Sequence, residues 1–238
     1  MVKRLRLVAL LVLLVLGGAL ALGQSADQQR ILTPDEQAKW PAIGLISYNL
    51  AATGSICTGT LVAADLVLTA AHCVAKLGVP FAPDDIYFFA GWRDGKSLAS
   101  RRGTAIYLAK GAEQKRWSMK SDMALVVLDT AIPASVAAPL PLASDAAVVG
   151  TADFIGYRRD ARQFAHLAEA CLAIDGDKPV IGLGCSVVTG NSGSPVVQKS
   201  ASGWQIAAVI VSYGTGEGGV LAYAVRPSVD IRSQIAQH

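Results

Sequence analysis

The sequence predicts an all-β protein: two six-stranded antiparallel β-barrels packed side by side, followed by a C-terminal helix. Three observations carry that expectation. The apolar residues fall into short runs, often β-branched or aromatic and divided by turn residues, which is how the strands of sandwiches and barrels read. The runs divide into six and six around the Ala/Pro-rich stretch 130–150. Only the last residues show a clear helical pattern, with Pro227 as a stiff entry.

In the first half the expected strands cover 43–50, 56–62, 66–70, 86–91, 105–109 and 123–129. In the second half they cover 153–157, 166–174, 179–185, 194–198, 205–213 and 220–225. A single helical turn is expected at 70–74 and a helix at 228–236, where Val229, Ile231 and Ile235 supply a partial apolar face. The resulting organisation is a leader (1–23), an N-terminal segment (24–39), a first barrel (40–130), a linker (131–149), a second barrel (150–226) and the helix (227–238). The sequence contains no internal repeat, and the two halves share no motif.

Residues 1–23 read as an export leader. Lys3, Arg4 and Arg6 precede the apolar run 7–16, and small residues follow, with Ala19-Leu20-Ala21 as an A-x-A cleavage signal. The run 7–22 falls short of the roughly 20 apolar residues of a spanning helix, so cleavage after Ala21 or Gly23 is expected rather than a retained anchor. The mature chain then begins near Gln24. It is expected to be secreted or periplasmic and a monomer, touching a membrane only through the leader and carrying no further module after His238.

The formal charge is +3, and the leader holds three basic residues and no acid, so the remainder is neutral. That balance gives no global attraction to nucleic acid or anionic membranes, and no nucleic-acid partner is expected. Eight Lys/Arg against Asp94 and Glu113 between Arg93 and Lys120 read as a solvated loop face. Four cysteines in an exported chain predict two disulfides. Three pairings are possible, and the nearest-neighbour scheme, Cys57–Cys73 with Cys171–Cys185, is the expected one. No CxxC pair is present, and His166 and His238 are the only other histidines besides His72, so no zinc or other metal is expected.

Two strings carry the chemistry: Thr69-Ala70-Ala71-His72-Cys73 and Gly190-Asn191-Ser192-Gly193-Ser194-Pro195. A serine hydroxyl needs a base within hydrogen-bond reach, and the base needs an orienting partner. Ser192 is the candidate nucleophile, since Gly190 and Gly193 permit a tight turn that presents it. The N–H groups of Gly190 and Ser192 are the candidate oxyanion hole, and a side chain at Gly190 is expected to obstruct the substrate carbonyl. His72 is the candidate base. Asp122 heads the apolar run 123–128, where a charge is costly without partners, and is the candidate orienter. Each signal alone has a plain structural explanation; their conjunction in the order His, Asp, Ser does not.

With those motifs in view, the chain resembles the trypsin/chymotrypsin-like serine peptidases, from about Trp40 to the C-terminus. Asp122-Met123-Ala124-Leu125 is similar to the family's aspartate motif, and Cys57 stands where the disulfide partner of its histidine loop is expected. Ile210-Val211-Ser212-Tyr213-Gly214 resembles the strand that lines the specificity pocket, so Ser212, Tyr213 and Gly214 are implied to bind substrate. The resemblance also implies that Ser212 hydrogen-bonds Asp122, that the active site lies between the barrels, and that no cofactor is required. Asn191 replaces the aspartate that, in the digestive branch, pairs with a newly cut N-terminus. Arg30-Ile31-Leu32-Thr33-Pro34 lacks that branch's double glycine, and Val188 stands where it has a cysteine. Asn191 with Ser194-Pro195 resembles instead the bacterial branch that includes glutamyl endopeptidases. An oxyanion hole formed without zymogen cleavage is therefore expected, with trimming near Arg30 left open.

The resemblance places Ser186 at the position that reads the substrate's P1 side chain. A serine there offers no anion for Lys or Arg, and the pocket strand has no histidine for Glu, so a small or apolar P1 residue is expected. Glu217 is expected to be solvated in its glycine-rich loop. The leading expectation is an endopeptidase acting on polypeptides; the alternatives are a silent binding protein on the same fold and an esterase with the same triad.

Overall fold

Closing a sheet into a barrel buries its inner face and removes exposed sheet edges. The computed structural model describes residues 29–114, 116–144, 148–174, 178–216 and 219–238. The expected leader and Glu217 lie outside the described residues.

The chain begins with β1 (Gln29–Ile31), α1 (Pro34–Gln37), β2 (Ile43–Ser47), β3 (Ile56–Ala63) and β4 (Leu66–Thr69). A 3-10 turn (Ala71–Cys73) leads to β5 (Ala75–Lys76), β6 (Val79–Pro80), β7 (Tyr87–Ala90) and β8 (Ala99–Leu108). A further 3-10 turn (Met119–Ser121) precedes β9 (Ala124–Leu128). The second half holds β10 (Thr151–Tyr157), β11 (Ala165–Ile174), β12 (Val180–Leu183), β13 (Pro195–Ser200), β14 (Gly203–Gly216), β15 (Gly219–Val225) and α2 (Val229–Ile235).

β2, β3, β4, β9, β8 and β7 form one closed antiparallel barrel. β10, β13, β14, β15 and β12 run on to β11, which pairs back to β10 and closes the second. The expected two six-stranded barrels are therefore present, and each half of the sequence builds its own. The core divides accordingly. Phe88, Leu61 and Leu125 belong to a cluster centred on the first barrel, Phe154, Ile181 and Ile210 to the second. A third cluster, with Leu32, Leu45, Phe89, Ile155, Tyr157 and Leu167, joins the two. Full burial of side chains of this size contributes about 1.5–3 kcal/mol each.

Three features differ from the sequence reading. The segment expected to precede the barrels contributes β1, which fills the part of the β11 edge that β12 does not reach: Ile31 pairs with His166 and Gln29 with Ala168, whereas β12 takes Ala173 and Ile174. β8 starts at Ala99 rather than 105, because pairing with β7 carries the polar stretch Ala99-Ser100-Arg101-Arg102 into the ladder. In α2, Ile231 is buried, but Val229 is 82% exposed and adds nothing to the packed face. Both expected disulfides form, Cys57–Cys73 and Cys171–Cys185. Among the described residues no helix is long and apolar enough to cross a membrane.

Candidate active site

The ends of two neighbouring strands place the histidine and the aspartate. Thr69, the last residue of β4, pairs with Ala124, the first of β9. His72 lies just beyond the end of one strand and Asp122 just before the start of the other, so the antiparallel ladder delivers them to one spot. The small buried Ala70 and Ala71 let the 3-10 turn lie against the barrel. The Cys57–Cys73 disulfide ties that turn to β3, and Tyr48 donates its hydroxyl to the Cys73 carbonyl at 2.6 Å.

Asp122 is 1% exposed, and its carboxylate is met by three donors. Oδ1 accepts from the His72 backbone N–H at 2.8 Å. Oδ2 is 2.6 Å from His72 Nδ1 and accepts from Trp117 Nε1 at 2.8 Å. An acceptor-only carboxylate calls for the proton on Nδ1, which leaves Nε2 as the basic nitrogen of the neutral ring. His72 is 35% exposed at its side chain, open to a substrate. A cavity of about 50 Å³ beside the pair is lined by Ala71, Leu77, Ala112 and Trp117.

The serine loop joins β12 to β13 and is held by carbonyl anchors. Gly190 and Gly193 have φ of +106° and +84°, the left-handed region that glycine alone enters freely. A Cβ at Gly190 would stand 2.8 Å from Arg159 N and from the Tyr157 oxygen, so the obstruction lies inside the protein rather than at the substrate carbonyl. A Cβ at Gly193 would overlap the Thr58 oxygen. The Thr189 carbonyl accepts from Arg159 N at 2.8 Å and the Asn191 carbonyl from Ser194 N at 2.9 Å. N–H and C=O of a trans peptide point in opposite directions, so the N–H groups of Gly190 and Ser192 turn away from those anchors. Among the described residues neither has an acceptor.

Thr58 of β3 staples this loop to the first barrel. Its N–H donates to the Ser192 carbonyl at 2.8 Å, and its Oγ1 donates to the Gly190 carbonyl at 3.0 Å and accepts from Tyr157 N at 2.9 Å. Asn191, 1% exposed, accepts at Oδ1 from Val188 N and from Gln29 Nε2, and donates from Nδ2 to the Tyr157 carbonyl.

The structure thus joins His72 to Asp122 and sets the Ser192 loop against the same barrel, while Ser192 Oγ makes no hydrogen bond to a described residue. In unliganded sites such bonds commonly tighten only with substrate. The implied Ser212–Asp122 hydrogen bond is absent. Ser212 Oγ lies 3.5 Å from the Tyr213 carbonyl, and the indole of Trp117 takes the place on Asp122. Ser186 is half-buried, with its carbonyl held by Gln29 Nε2 at 2.9 Å. Tyr213 is 65% exposed, and a Cβ on Gly214 would stand 2.8 Å from the Tyr223 ring. Cys57 and Cys73 lie close to His72, but their sulfurs are spent on each other and provide no thiolate for a metal.

Trp117, Thr58 and Gln29 were not visible as site residues in the sequence. Trp117 did leave a trace, as a lone aromatic in a basic loop five residues before Asp122.

Residues 57–206 match the model of the trypsin-like peptidase domain. No curated protein matches the chain by sequence. Among solved structures, the chain is similar to a Glu endopeptidase in complex with MPD, with a TM-score of 0.70 and 20% identity over 88% of this chain and 95% of that one. It is similar to the protease Anisep from Arthrobacter nicotinovorans, with a TM-score of 0.68 and 22% identity over 88% and 100% of the two chains. A third likeness is the thermostable serine protease AL20 from an extremophilic microorganism, at 0.66 and 20% over 83% and 96%.

Proposed function

The chain belongs to the trypsin-like peptidase family, and from that membership we propose that it is an exported serine endopeptidase whose triad is Ser192, His72 and Asp122. The observation that carries this reading is the His72–Asp122 contact, which fixes the ring's tautomer and leaves Nε2 basic. Ser192 Oγ attacks the scissile carbonyl carbon as His72 Nε2 takes its proton. The oxyanion that forms is bonded by the N–H groups of Gly190 and Ser192, which are free to receive it. Collapse expels the amine with the proton from His72 and leaves an acyl-enzyme. Water, deprotonated by His72, then releases the second product. The Asp122 carboxylate holds the ring through Nδ1 and stabilises the imidazolium, with Trp117 as a further donor to it.

Export agrees with the basic-apolar-small leader and with two disulfides, which persist in oxidising compartments. Ser186 is neutral and Tyr223 crowds Gly214, which supports a small or apolar P1 residue.

The test is cleavage of an unfolded polypeptide by the mature protein, with the cut sites read by mass spectrometry. Internal cuts after small or apolar residues are expected. Ser192→Ala is expected to lower kcat on the order of 10⁶-fold. Turnover of simple esters with no peptide cleavage would make the protein an esterase, and turnover of neither would leave a binding role.

A further inference from the structure

A buried amide from the N-terminal strand reaches the serine loop across more than 150 residues of sequence. Gln29 is 8% exposed, and Nε2 spends its two hydrogens at 2.9 Å each, on the Ser186 carbonyl and on Asn191 Oδ1. The opposite amide orientation would set Oε1 against two acceptor oxygens, so the acceptors fix which end points inward. One side chain thereby grips the loop at two points: Ser186 near its start, and Asn191 beside Ser192.

We propose that Gln29 is the positioning residue that keeps this loop in its substrate-ready form, so that the peptidase works with its N-terminal strand intact and is impaired by a cut after Arg30. The inference rests on the reading of Ser192 as nucleophile. Asn191 is the link. Its Oδ1 is shared by Gln29 and Val188 N, and its Nδ2 holds the Tyr157 carbonyl, so the side chain has one satisfied orientation. The peptide that joins Asn191 to Ser192 carries one of the two oxyanion donors, and its carbonyl is held by Ser194 N. A shift of Asn191 therefore moves the donor and the nucleophile together.

β1 is clamped so that Gln29 stays in place. Leu32, 1% exposed, packs in the cluster between the barrels, and its N–H donates to the Ala165 carbonyl. Arg30 pairs with Glu169 on β11 and with Glu36 of α1, each at 2.9 Å. Thr33 and Glu36 cap α1 reciprocally. The Gln29 contact is a neutral amide rather than an ammonium, so forming it needs no new chain end. Cutting after Arg30 would detach Gln29 from the segment that Leu32 and α1 hold down.

The experiment compares mature wild type, Gln29→Met, Gln29→Lys and a chain with the leader fused directly to Ile31. Met keeps the length of Gln and removes both donors; Lys keeps donors and changes shape. Expected are a fall in kcat for Gln29→Met on the order of tenfold or more, a smaller fall for Gln29→Lys, little change in KM for Gln29→Met with Tm lowered by the acceptors it leaves unpaired, and the lowest kcat for the Ile31 chain. A purely packing role would instead rank Met above Lys in kcat. Wild-type kcat in Gln29→Met, Met outperforming Lys, or an Ile31 chain more active than wild type would each overturn the proposal while leaving Ser192 as nucleophile. An inactive wild type would bring down the underlying reading itself.

Discussion

The two barrels place their share of the site in different ways. The first delivers His72 and Asp122 from paired strand ends, where the ladder between Thr69 and Ala124 sets their separation. The second delivers Ser192 from a loop whose shape is set by two left-handed glycines of its own and by partners beyond it, Thr58 of β3 and Gln29 of β1. A base and its orienter can be carried by regular structure, because they need one distance and one tautomer. The proposed nucleophile and oxyanion donors need several peptide planes turned at once, which a strand does not supply. Activity should therefore respond to substitutions remote in sequence from the reacting residue in the second case and near it in sequence in the first.

Thr58→Val is the sharpest way to break this comparison. It is nearly isosteric, lies in the first barrel and touches no substrate, yet it strips partners from the Gly190 carbonyl and Tyr157 N–H. Each buried group left unpaired costs about 1–3 kcal/mol, and kcat is expected to fall together with Tm. A variant with a lowered Tm and wild-type kcat would show that the loop holds its shape unaided. Trp117→Phe sharpens the other half, where the expected effect is smaller. It removes one of three donors from Asp122, and a hydrogen bond to a charged group is worth about 1.5–3 kcal/mol. The expected result is a roughly tenfold loss in kcat, with the position kept aromatic; an unchanged kcat would reduce Trp117 to a cover. The smallest effect concerns β1. Arg30, with help from the Thr33 N–H, pulls the Glu36 carboxyl down to about 2 from the ordinary 4.5. A depressed carboxyl contributes stability that is full above 4.5 and is lost as pH falls toward 2. Glu36→Gln should therefore flatten that part of the acid dependence of Tm, a difference that thermal melts of the two proteins can read. Identical acid limbs would show that the clamp does not depend on the ion pair.

The twelve principal strands were legible because burial on alternate or both faces leaves compact apolar runs, and the three triad candidates stand out because alanines precede His72, an apolar run follows Asp122 and glycines flank Ser192. The remainder depends on partners far away in sequence. β1 is three residues, Gln-Arg-Ile, with one buried, and only the free edge of β11 makes it a strand. Thr58 reads as an ordinary residue of an apolar run, and its role comes from a carbonyl 132 residues away. Ser212 was assigned to Asp122 by resemblance, but an indole from the basic loop occupies that side of the carboxylate. Val229 fits a helical period yet falls on the solvent side of α2, since a period does not say which face a neighbour covers.

The central claim is that these two kinds of placement converge on one activated serine. The direct measurement is labelling of the mature, disulfide-intact protein with a fluorophosphonate, mapped to its residue by mass spectrometry, in wild type and in Ser192→Ala. The account expects one label, on Ser192, that disappears in the variant. An unlabelled wild type, or a label that persists when Ser192 is gone, would contradict it.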